Sequence, residues 1–588
     1  MAPGQIRAFG TGGDSRLRSI LNQAHLAPSA SSPVSAVGVL GPIELDRNAC
    51  ILANEALDFP DAIYMGPSSL LVIPAELAED PLGVISSVRF YPGPRAHVLF
   101  DDSAKLYVSN ARIGRRYTLF APQVIACDTY GGALDIARLV ISDSPLLVPV
   151  WNGNSINGNV LAFRPGFVDE IYPRTSPAQQ AFILAALEKD LIGPAHISDS
   201  AGGVRLLSRA IDRRFLGNDP DAVARTLQSV QDMIQAAGVA SMAWQAHGLL
   251  QETMEYRASF RSEPFTPARS GAPGSAGGEA ADTPAAGMPA GDTASASMGN
   301  VALWLRPLYR RWSYSGVESL NVSFNHDLDA SLGGLALGVD YTIPGLVRAG
   351  LCAGMGSGHA TSGEEYNATE NSMNYHALGA WLALTWGDWL LAGEYAHVDA
   401  RHNITQELDK RLAMEDLAAT MHTKSSGYRL RLERRTVFDW FTAVEYLALG
   451  ETWLDTDAHT VKSGNMRVLH GKAVQQQIGT FTAGLAVEHQ FDFTSETCGL
   501  WWLKPVVEYS ITQSYGDLES LTPVALEGFA VMEQQAYSQI TVSDPVTYRL
   551  GLGLYAGGTN ASVGLTYSHM ASAHGSGDSV QCRFVWTF

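Results

Sequence analysis

Three short segments contain residue types that enzymes use, but none has the pattern of a catalytic motif. The stretch GGDSR at 12–16 places a carboxylate beside a hydroxyl, yet an arginine follows and no distal Asp-x-x-His block accompanies it. The stretch HISDS at 196–200 holds His, Asp and Ser in a loop-like setting, and spacing alone does not make a triad. The adjacent carboxylates of Asp101 and Asp102 are more typical of a turn than of a calcium site.

The chain also lacks the motifs of the common nucleotide, cofactor and metal enzymes. It has no Gly-x-Ser-x-Gly, HExxH, Walker or GxGxxG pattern and no CxxC pair. The five cysteines lie far apart. A Cys50–Cys127 disulfide is one interpretation, and small buried thiols are the favoured one. We therefore predict no catalytic residue, no metal, no cofactor and no enzyme activity.

The composition differs from that of an ordinary soluble domain. Of the 588 residues, 46% are hydrophobic and only 17% are charged, against about 25% charged in typical domains. The net charge of −19 argues against nucleic acid as a partner, because a phosphate backbone requires clustered Lys and Arg. No apolar run approaches the ~18 residues of a membrane-spanning helix, but barrel strands cross a membrane with only about ten alternating residues each.

Residues 299–588 alternate between apolar and polar residues in twelve segments, which predicts twelve strands. In GLALGVDYTI, for example, Leu335, Leu337 and Val339 share one face. The last segment, DSVQCRFVWTF, alternates in the same way as far as Phe588. The predicted polar faces are rich in Gly, Ala and Ser, and they carry mid-strand charges at Arg306, Glu394, Arg429, Arg431, Glu445, Lys504, Glu508, Arg549 and Arg583.

Two architectures produce such alternation: a soluble sandwich, and a membrane barrel whose apolar face meets lipid while its polar face lines a wet lumen. Aromatic residues at strand ends favour the barrel, because they form interface girdles. Long polar segments at 401–426 and 451–478 alternate with tight turns at 386–389 and 437–440. An even strand count lets the first and last strands pair antiparallel and leaves no edge in lipid. We predict a mainly β chain with a closed, 12-stranded antiparallel transmembrane β-barrel and these nine charges inside it.

The region 299–588 resembles the C-terminal translocator domain of the autotransporter family. The resemblance depends on the opening NVALWLRPLYRR, the strand LKPVVEYSI, the twelve-strand count and the ending CRFVWTF. It implies a Gram-negative outer-membrane location, type V secretion, and partners that include outer-membrane lipid, periplasmic chaperones and the barrel-assembly machinery. That machinery would read a signal carried by Phe584, Trp586 and Phe588. Some family barrels cleave their linker at an asparagine, but 239–297 contains none, so we do not predict self-cleavage.

Two segments of different character precede the barrel. Residues 263–298 are rich in Pro, Gly, Ala and Ser, which predicts a flexible linker. Residues 219–262 are predicted to be helical, with apolar residues at helical spacing at Val223, Leu227, Val230 and Ile234. The family resemblance implies that 239–262 or the linker threads the barrel lumen. The alternative for the helical segment is a cap on the N-terminal region.

Residues 1–218 are predicted to be a partial passenger, β-rich with some helices. Short strands are indicated in RAHVLFDDSAKLYVSN from Arg95 and in IGRRYTLF from Ile113. The second stretch resembles the region near the C-terminal cap of family passengers, which are commonly parallel β-helices. No repeat period is visible, and helical runs at 176–192 and 204–216 do not suit a simple β-helix.

The favoured function is that of an outer-membrane autotransporter that displays residues 1–262 at the cell surface to bind an unknown surface ligand. A hydrolytic passenger and a porin-like channel with a periplasmic N-terminal domain are the alternatives. The first twenty residues lack the apolar core and cleavage site of a signal peptide. Export is therefore expected to require a longer gene product; otherwise the chain is a remnant that is no longer exported.

Overall fold

The structure is a computed structural model that describes most of the N-terminal region and nearly all of the barrel. The described residues are 6–8, 43–45, 50–53, 57–59, 62–79, 85–87, 96–121, 124–128, 130, 134–153, 159–173, 175, 180, 183–184, 202–213, 215–216, 219–262, 300–319, 322–343, 345–363, 368–495, 499–527, 536–558 and 560–588. The GGDSR and HISDS stretches and the Pro/Gly-rich linker lie outside these residues.

The N-terminal region contains short strands arranged in three sheets. The described strands are β1 (Ile6–Ala8), β2 (Ile43–Leu45), β3 (Cys50–Ala53), β4 (Leu57–Phe59), β5 (Ala62–Met65), β6 (Leu70–Pro74), β7 (Ile85–Ser87), β8 (Ala96–Phe100), β9 (Lys105–Ser109), β10 (Arg116–Phe120), β11 (Val124–Asp128), β12 (Val140–Ser142), β13 (Leu147–Gly153) and β14 (Asn159–Pro165). The sheet orders are β1-β3-β6-β9-β12, β11-β8-β5-β2 and β13-β14-β10-β7-β4. Each strand from β5 to β12 pairs in parallel with the strand three before it in the chain. The chain therefore coils as a short parallel β-helix.

The coils of this β-helix have unequal lengths, which explains why no repeat period is visible in the sequence. The stacked strands β2, β5, β8 and β11 begin at Ile43, Ala62, Ala96 and Val124. The coils enclose a core that includes Ile73, Phe100, Leu106 and Tyr117. The antiparallel hairpin β13–β14 pairs with β10 and ends the solenoid.

Two sequence interpretations for this region are resolved. Asp101 accepts hydrogen bonds from the backbone N–H of Ser103 at 3.0 Å and from its hydroxyl at 2.6 Å, so the paired carboxylates begin a turn, as predicted. Cys127 is buried and carries a free thiol, in agreement with the interpretation of small buried thiols.

The described residues include both short and long helices. Ala75–Ala78 and Val168–Ile171 are single turns, and Ile136–Arg138 and Lys410–Leu412 are 3-10 turns. The longer helices are Gly202–Ile211, Pro220–Ala236 and Val239–Arg257. Within the described part of the chain, no helix combines the length and the apolar character needed to cross a bilayer.

Residues 300–588 form a closed barrel of twelve long antiparallel strands, as predicted. These strands are β15 (Asn300–Ser319), β16 (Val322–Ile343), β17 (Val347–Ser362), β18 (Thr369–Trp386), β19 (Trp389–Gln406), β20 (Leu417–Val437), β21 (Thr442–Thr456), β24 (Val474–Glu488), β26 (Gly499–Gly516), β29 (Val546–Gly557), β30 (Ala561–Ser572) and β31 (Gly575–Thr587). Antiparallel pairing of β15 with β31 closes the cylinder. Shorter strands extend its hairpins: β22 (His459–Ser463), β23 (Met466–Gly471), β25 (Phe491–Ser495), β27 (Glu519–Leu526) and β28 (Ala536–Thr541).

The outer surface of the barrel is an apolar belt. In β18, Leu378 and Leu382 are 60% and 47% exposed, while the alternate residues Ala377, Trp381 and Ala383 are buried inside. The same alternation runs around the cylinder. Water-soluble monomers rarely expose apolar patches this large, whereas a transmembrane barrel turns such a surface to lipid.

The two ends of the barrel differ. At one end, tight turns join the strands; Gly387, for example, turns at φ +61° between β18 and β19. The last residue of the final strand lies at the same end. We call this the turn end. At the opposite loop end, the connections are longer and the hairpins β22–β23 and β27–β28 project. Gly202–Ile211 and Pro220–Ala236 pack on the loop end through a shared apolar core that includes Leu207, Leu227 and Val468.

Candidate functional site: a helix inside the barrel lumen

The helix Val239–Arg257, called the lumen helix below, lies inside the barrel. Near the loop end, the Asn371 side-chain amide donates to the carbonyl of Ala237 at 2.9 Å, just before the helix begins. At the turn end, the Arg348 guanidinium donates to the carbonyl of Arg257 at 2.9 Å. Nineteen helical residues span about 28 Å, close to the roughly 30 Å hydrocarbon thickness of a bilayer. Residues 239–257 therefore thread the lumen and do not cap the N-terminal region.

Small residues of the barrel wall make room for the lumen helix. A Cβ atom at Gly358 would lie 2.7 Å from Met242 Cε, and one at Gly427 would lie 2.9 Å from His247 Nε2. The imidazole of His247 is fully buried and hydrogen-bonds the hydroxyl of Ser425 at 3.0 Å. Because the wall surrounds the helix, polar as well as apolar side chains of the helix are buried and require partners.

Glu252 of the lumen helix binds three strands of the wall. Its carboxylate forms an ion pair with Arg310 of β15 and lies 3.7 Å from Arg549 of β29. Gln581 of β31 donates to the same carboxylate at 3.0 Å. Several charge-assisted hydrogen bonds on one buried carboxylate offset the cost of removing it from water.

Glu255, one turn further, is held by three arginines. It forms ion pairs at 3.0 Å with Arg429 and with Arg431, both in β20, and at 2.9 Å with Arg261. The guanidinium of Arg431 also donates to the backbone carbonyl of Glu255 at 2.5 Å and pairs with Glu433 at 3.1 Å. One acid of the helix thus organises a buried network on the β20 side of the lumen.

The turn that follows the lumen helix, Ala258–Ser262, completes a set of contacts at the turn end. We call residues 239–262 the lumen segment. The Glu433 carboxylate accepts hydrogen bonds from the Ser259 hydroxyl and the Phe260 N–H, each at 2.9 Å. Arg261 pairs with Glu508 at 2.6 Å, and Lys504 donates to the Arg261 carbonyl at 2.5 Å.

The predicted lumen charges are found mainly around this segment. Eight of them lie on the inner face of the barrel, namely Arg306, Glu394, Arg429, Arg431, Lys504, Glu508, Arg549 and Arg583. They contact the lumen segment or one another; Glu394, for example, lies 3.7 Å from Arg431. Phe584, Trp586 and Phe588 lie on the outer face and are at least 45% exposed.

The prediction for Glu445 is wrong, because this side chain points to the outer face. Its strand neighbours Val444 and Tyr446 are buried inside, and the hydroxyl of Tyr446 donates to Glu508 at 2.6 Å. On the outer face, Glu445 lies directly opposite Arg434 in the strand register. Opposite charges at facing positions favour strand pairing, and both residues lie near the turn end, within reach of interfacial water.

Sequence reasoning missed the acids and bases of the lumen segment: Glu252, Glu255, Arg257 and Arg261. A signal for them existed, since the acids Glu252 and Glu255 sit three residues apart, one helical turn, in a helix otherwise rich in Ala, Leu and Met. It also missed Arg310, Asp340, Arg348 and Glu433 of the wall. Two of these residues keep the strand phase of predicted charges in the same strand: Arg310 that of Arg306 in β15, and Glu433 that of Arg431 in β20.

The arrangement forms a filled channel. Among the described residues, no group of three or more His, Cys, Asp or Glu side chains is placed to hold a metal ion. The buried charges bind the lumen segment to the wall, and the segment fills the bore from one end to the other. The lumen segment thus connects the two ends of a lipid-facing barrel.

Comparisons with known proteins give one family match and several similar solved structures. A family model described as the autotransporter β-domain matches residues 303–580. No curated protein sequence matches the chain. Among solved structures, the chain is similar to the translocator domain of the autotransporter NalP from Neisseria meningitidis, with 15% identity over 49% of this chain and 88% of that one and a TM-score of 0.35.

Two further structures are similar over about half of this chain. The β-domain of the Bordetella autotransporter BrkA is 14% identical over 49% of this chain and 99% of that one, with a TM-score of 0.35. The transport unit of the autotransporter AIDA-I from Escherichia coli is 13% identical over 51% and 91%, with a TM-score of 0.34. From the family match over residues 303–580 and the closed, lipid-facing barrel of twelve strands, we conclude that the C-terminal half of this chain is an autotransporter β-domain, an outer-membrane translocator barrel.

Proposed function

We propose that the barrel displays the N-terminal β-helix at the cell surface, with the lumen segment as the connection between them. Outer-membrane barrels have short periplasmic turns and longer extracellular loops, so the turn end would face the periplasm. The observation that carries the proposal is the course of the lumen helix. It begins at the loop end, where the N-terminal region packs, and it finishes at the turn end, where β15 begins.

Contacts at the loop end support a display role in preference to a porin-like channel. The bore is occupied by a buried helix whose charges are paired with the wall. The helix Gly202–Ile211 packs against the backbone of β23 and of Glu527, the residue after β27, with Gly203 facing the carbonyl of Val468. The lumen helix is bound to the wall along the whole bore. This arrangement suits a tether for a surface domain better than a pore through which solutes diffuse.

We propose binding, not catalysis, as the task of the displayed region. A parallel β-helix presents flat, regular sheet faces, and Tyr130, 96% exposed, offers an aromatic side chain to a partner. A serine-directed fluorophosphonate probe tests the hydrolytic alternative. Covalent labelling of the N-terminal region by this probe would contradict the binding role.

The topology is tested with epitope insertions in the full chain, expressed in a Gram-negative host with a signal peptide supplied. One epitope is placed after Tyr130 in the β-helix, and the control epitope is placed between Gly387 and Asp388 at the turn end. Antibody should label the first on intact cells and the second only after the outer membrane is permeabilised. The reverse pattern would place the β-helix in the periplasm and support the channel alternative.

Assembly through the barrel machinery and periplasmic chaperones is part of the same proposal. Phe584, Trp586 and Phe588 share one exposed face of the last strand and are therefore accessible to a receptor before the barrel enters lipid. Replacing Phe588 by Ser should reduce the amount of folded barrel in the outer membrane. Replacing Thr587 by Ser, the adjacent residue, is the control and should leave that amount unchanged.

A further inference from the structure

We infer that the lumen helix has a second function: it clasps the first and last barrel strands together and so keeps the barrel closed. This inference concerns the seam between β15 and β31. It is independent of whether the N-terminal region reaches the cell surface. It rests on the pairing of the two strands, on two arginines at the seam, and on what the lumen helix contacts there.

The pairing of β15 with β31 is interrupted in the middle of the seam. Leu305 pairs with Phe584 and Leu308 pairs with Gln581, but the two positions between them are skipped. One of these positions is Pro307, which has no backbone N–H to donate. The seam therefore lacks ladder contacts at a point where most neighbouring strand pairs of the barrel are continuous.

The same register sets Arg306 opposite Arg583 at the interruption. Both side chains face the lumen and are buried, with 5% and 2% of their surface exposed. Like charges directly opposite each other destabilise a strand pair, and burial away from water strengthens their repulsion. On its own, this part of the seam would favour separation of the two strands.

The lumen helix contacts both arginines. The Arg306 guanidinium donates to the carbonyls of Glu252 and Thr253, each at 3.4 Å. The Arg583 guanidinium lies 4.2 Å from the centre of the Tyr256 ring, and the Tyr256 ring stacks on that of Tyr555. The helix thus stabilises the charge of Arg306 with carbonyl oxygens and that of Arg583 with an aromatic ring face.

The Glu252 carboxylate bridges the seam directly. One oxygen pairs with Arg310 of β15, and the other accepts a hydrogen bond at 3.0 Å from Gln581 of β31. Glu255, by contrast, pairs with Arg429 and Arg431, which both belong to β20. Of these two acids of the same helix, Glu252 therefore joins the first strand to the last, and Glu255 does not.

This difference provides a matched test in the full chain, with the five native cysteines replaced by serine. A cysteine pair at Leu305→Cys and Phe584→Cys, directly opposite at the seam, reports closure by the yield of disulfide on oxidation in membranes. A pair at Ala380→Cys and Tyr395→Cys, opposite each other in β18 and β19, reports a pairing remote from the seam. The helix variants are Glu252→Gln with Tyr256→Leu, and Glu255→Gln as the control.

The seam yield should fall severalfold in the Glu252→Gln, Tyr256→Leu variant while the β18–β19 yield stays unchanged. Glu255→Gln weakens contacts with β20 and not with the seam, so it should not lower the seam yield more than the β18–β19 yield. An unchanged seam yield, or an equal fall at both pairs, would overturn the inference. If the variant assembles poorly, its yield of folded barrel should be restored by the seam disulfide and not by the β18–β19 disulfide. Restoration by both or by neither would also contradict a clasp.

Discussion

Arg257 and Asp340 form an ion pair that is almost completely shielded from solvent. The Nη2 atom of Arg257 lies 2.5 Å from Oδ2 of Asp340, and Nε lies 2.7 Å from the same oxygen. Arg257 ends the lumen helix and Asp340 belongs to β16 near the turn end. The pair therefore anchors the end of the lumen helix that leads to β15.

Removing one partner of this pair should be costly, and removing both should cost less. Arg257→Met leaves the carboxylate of Asp340 buried without its cation, for which roughly 3–5 kcal/mol is typical. The double variant Arg257→Met, Asp340→Leu should recover most of that loss, because no unpaired charge remains. Urea unfolding in liposomes, followed by tryptophan fluorescence, measures both. A double variant as unstable as the single one would show that the pair is not an isolated anchor.

The lipid-facing belt predicts a depth-dependent cost of charge. Leu378 lies on the outer face near the middle of β18, and Glu370 lies on the same face near its loop end. Leu378→Arg should destabilise the barrel by about 2–4 kcal/mol, while Glu370→Arg should change stability by about 0–1 kcal/mol. Unfolding in liposomes measures both substitutions on one strand. Equal costs at the two positions would contradict a membrane boundary between them.

Much of the barrel could be predicted because the outer face of most strands is largely apolar where it meets lipid. Leu378 and Leu382 define the outer face of β18 without ambiguity. In β21 both faces carry apolar side chains, since Val444 and Tyr446 point inwards while Leu447 and Leu449 point outwards. The alternation of residues then does not show which set faces the lumen. The prediction placed Glu445 inside because of its charge, and this was wrong.

The position of the lumen helix was not predictable in the same way. A helix on a protein surface shows an apolar stripe, but this one is enclosed by the barrel wall, so polar Glu252 and apolar Met254 both face the wall. Glu252 meets Arg310 and Gln581, whereas Met254 packs against the wall at Gly379. The position of such a helix depends on side chains of distant strands that contact it. The sequence of the helix alone does not identify those side chains.

The packing of Gly202–Ile211 on the loop end depends on a glycine. A Cβ atom at Gly203 would lie 2.6 Å from the Val468 carbonyl oxygen and 2.7 Å from that of Glu527, which are backbone atoms and cannot easily move. Gly203→Val should therefore release this helix from the barrel and increase cleavage by an added protease between residues 202 and 236. Gly333→Val is the control, because no atom lies within 4 Å of its Cβ position. Equal protection of the two variants would contradict a fixed docking position.

The charges of the wall predict the ion selectivity of a barrel without its lumen segment. In the described strands, the inward-facing cations are Arg306, Arg310, Arg348, Arg429, Arg431, Arg435, Lys504, Arg549 and Arg583, and the inward-facing acids are Asp340, Glu394, Glu433, Glu488 and Glu508. The lumen segment contributes two acids and two arginines, Glu252, Glu255, Arg257 and Arg261. Its removal therefore leaves an excess of positive charge around an aqueous bore.

A chain that begins at residue 299 should form open channels in planar bilayers, and these channels should prefer chloride to potassium, because fixed charge of one sign concentrates the opposite ion. The reversal potential in a potassium chloride gradient measures this preference. The full chain is the control and should conduct far less. Replacing Arg429 and Arg431 by Gln should move the reversal potential of the emptied barrel towards zero, because the wall would then carry less positive charge. A cation-selective pore would contradict this assignment of wall charges, and equal conductance of the two chains would contradict a lumen filled by the helix.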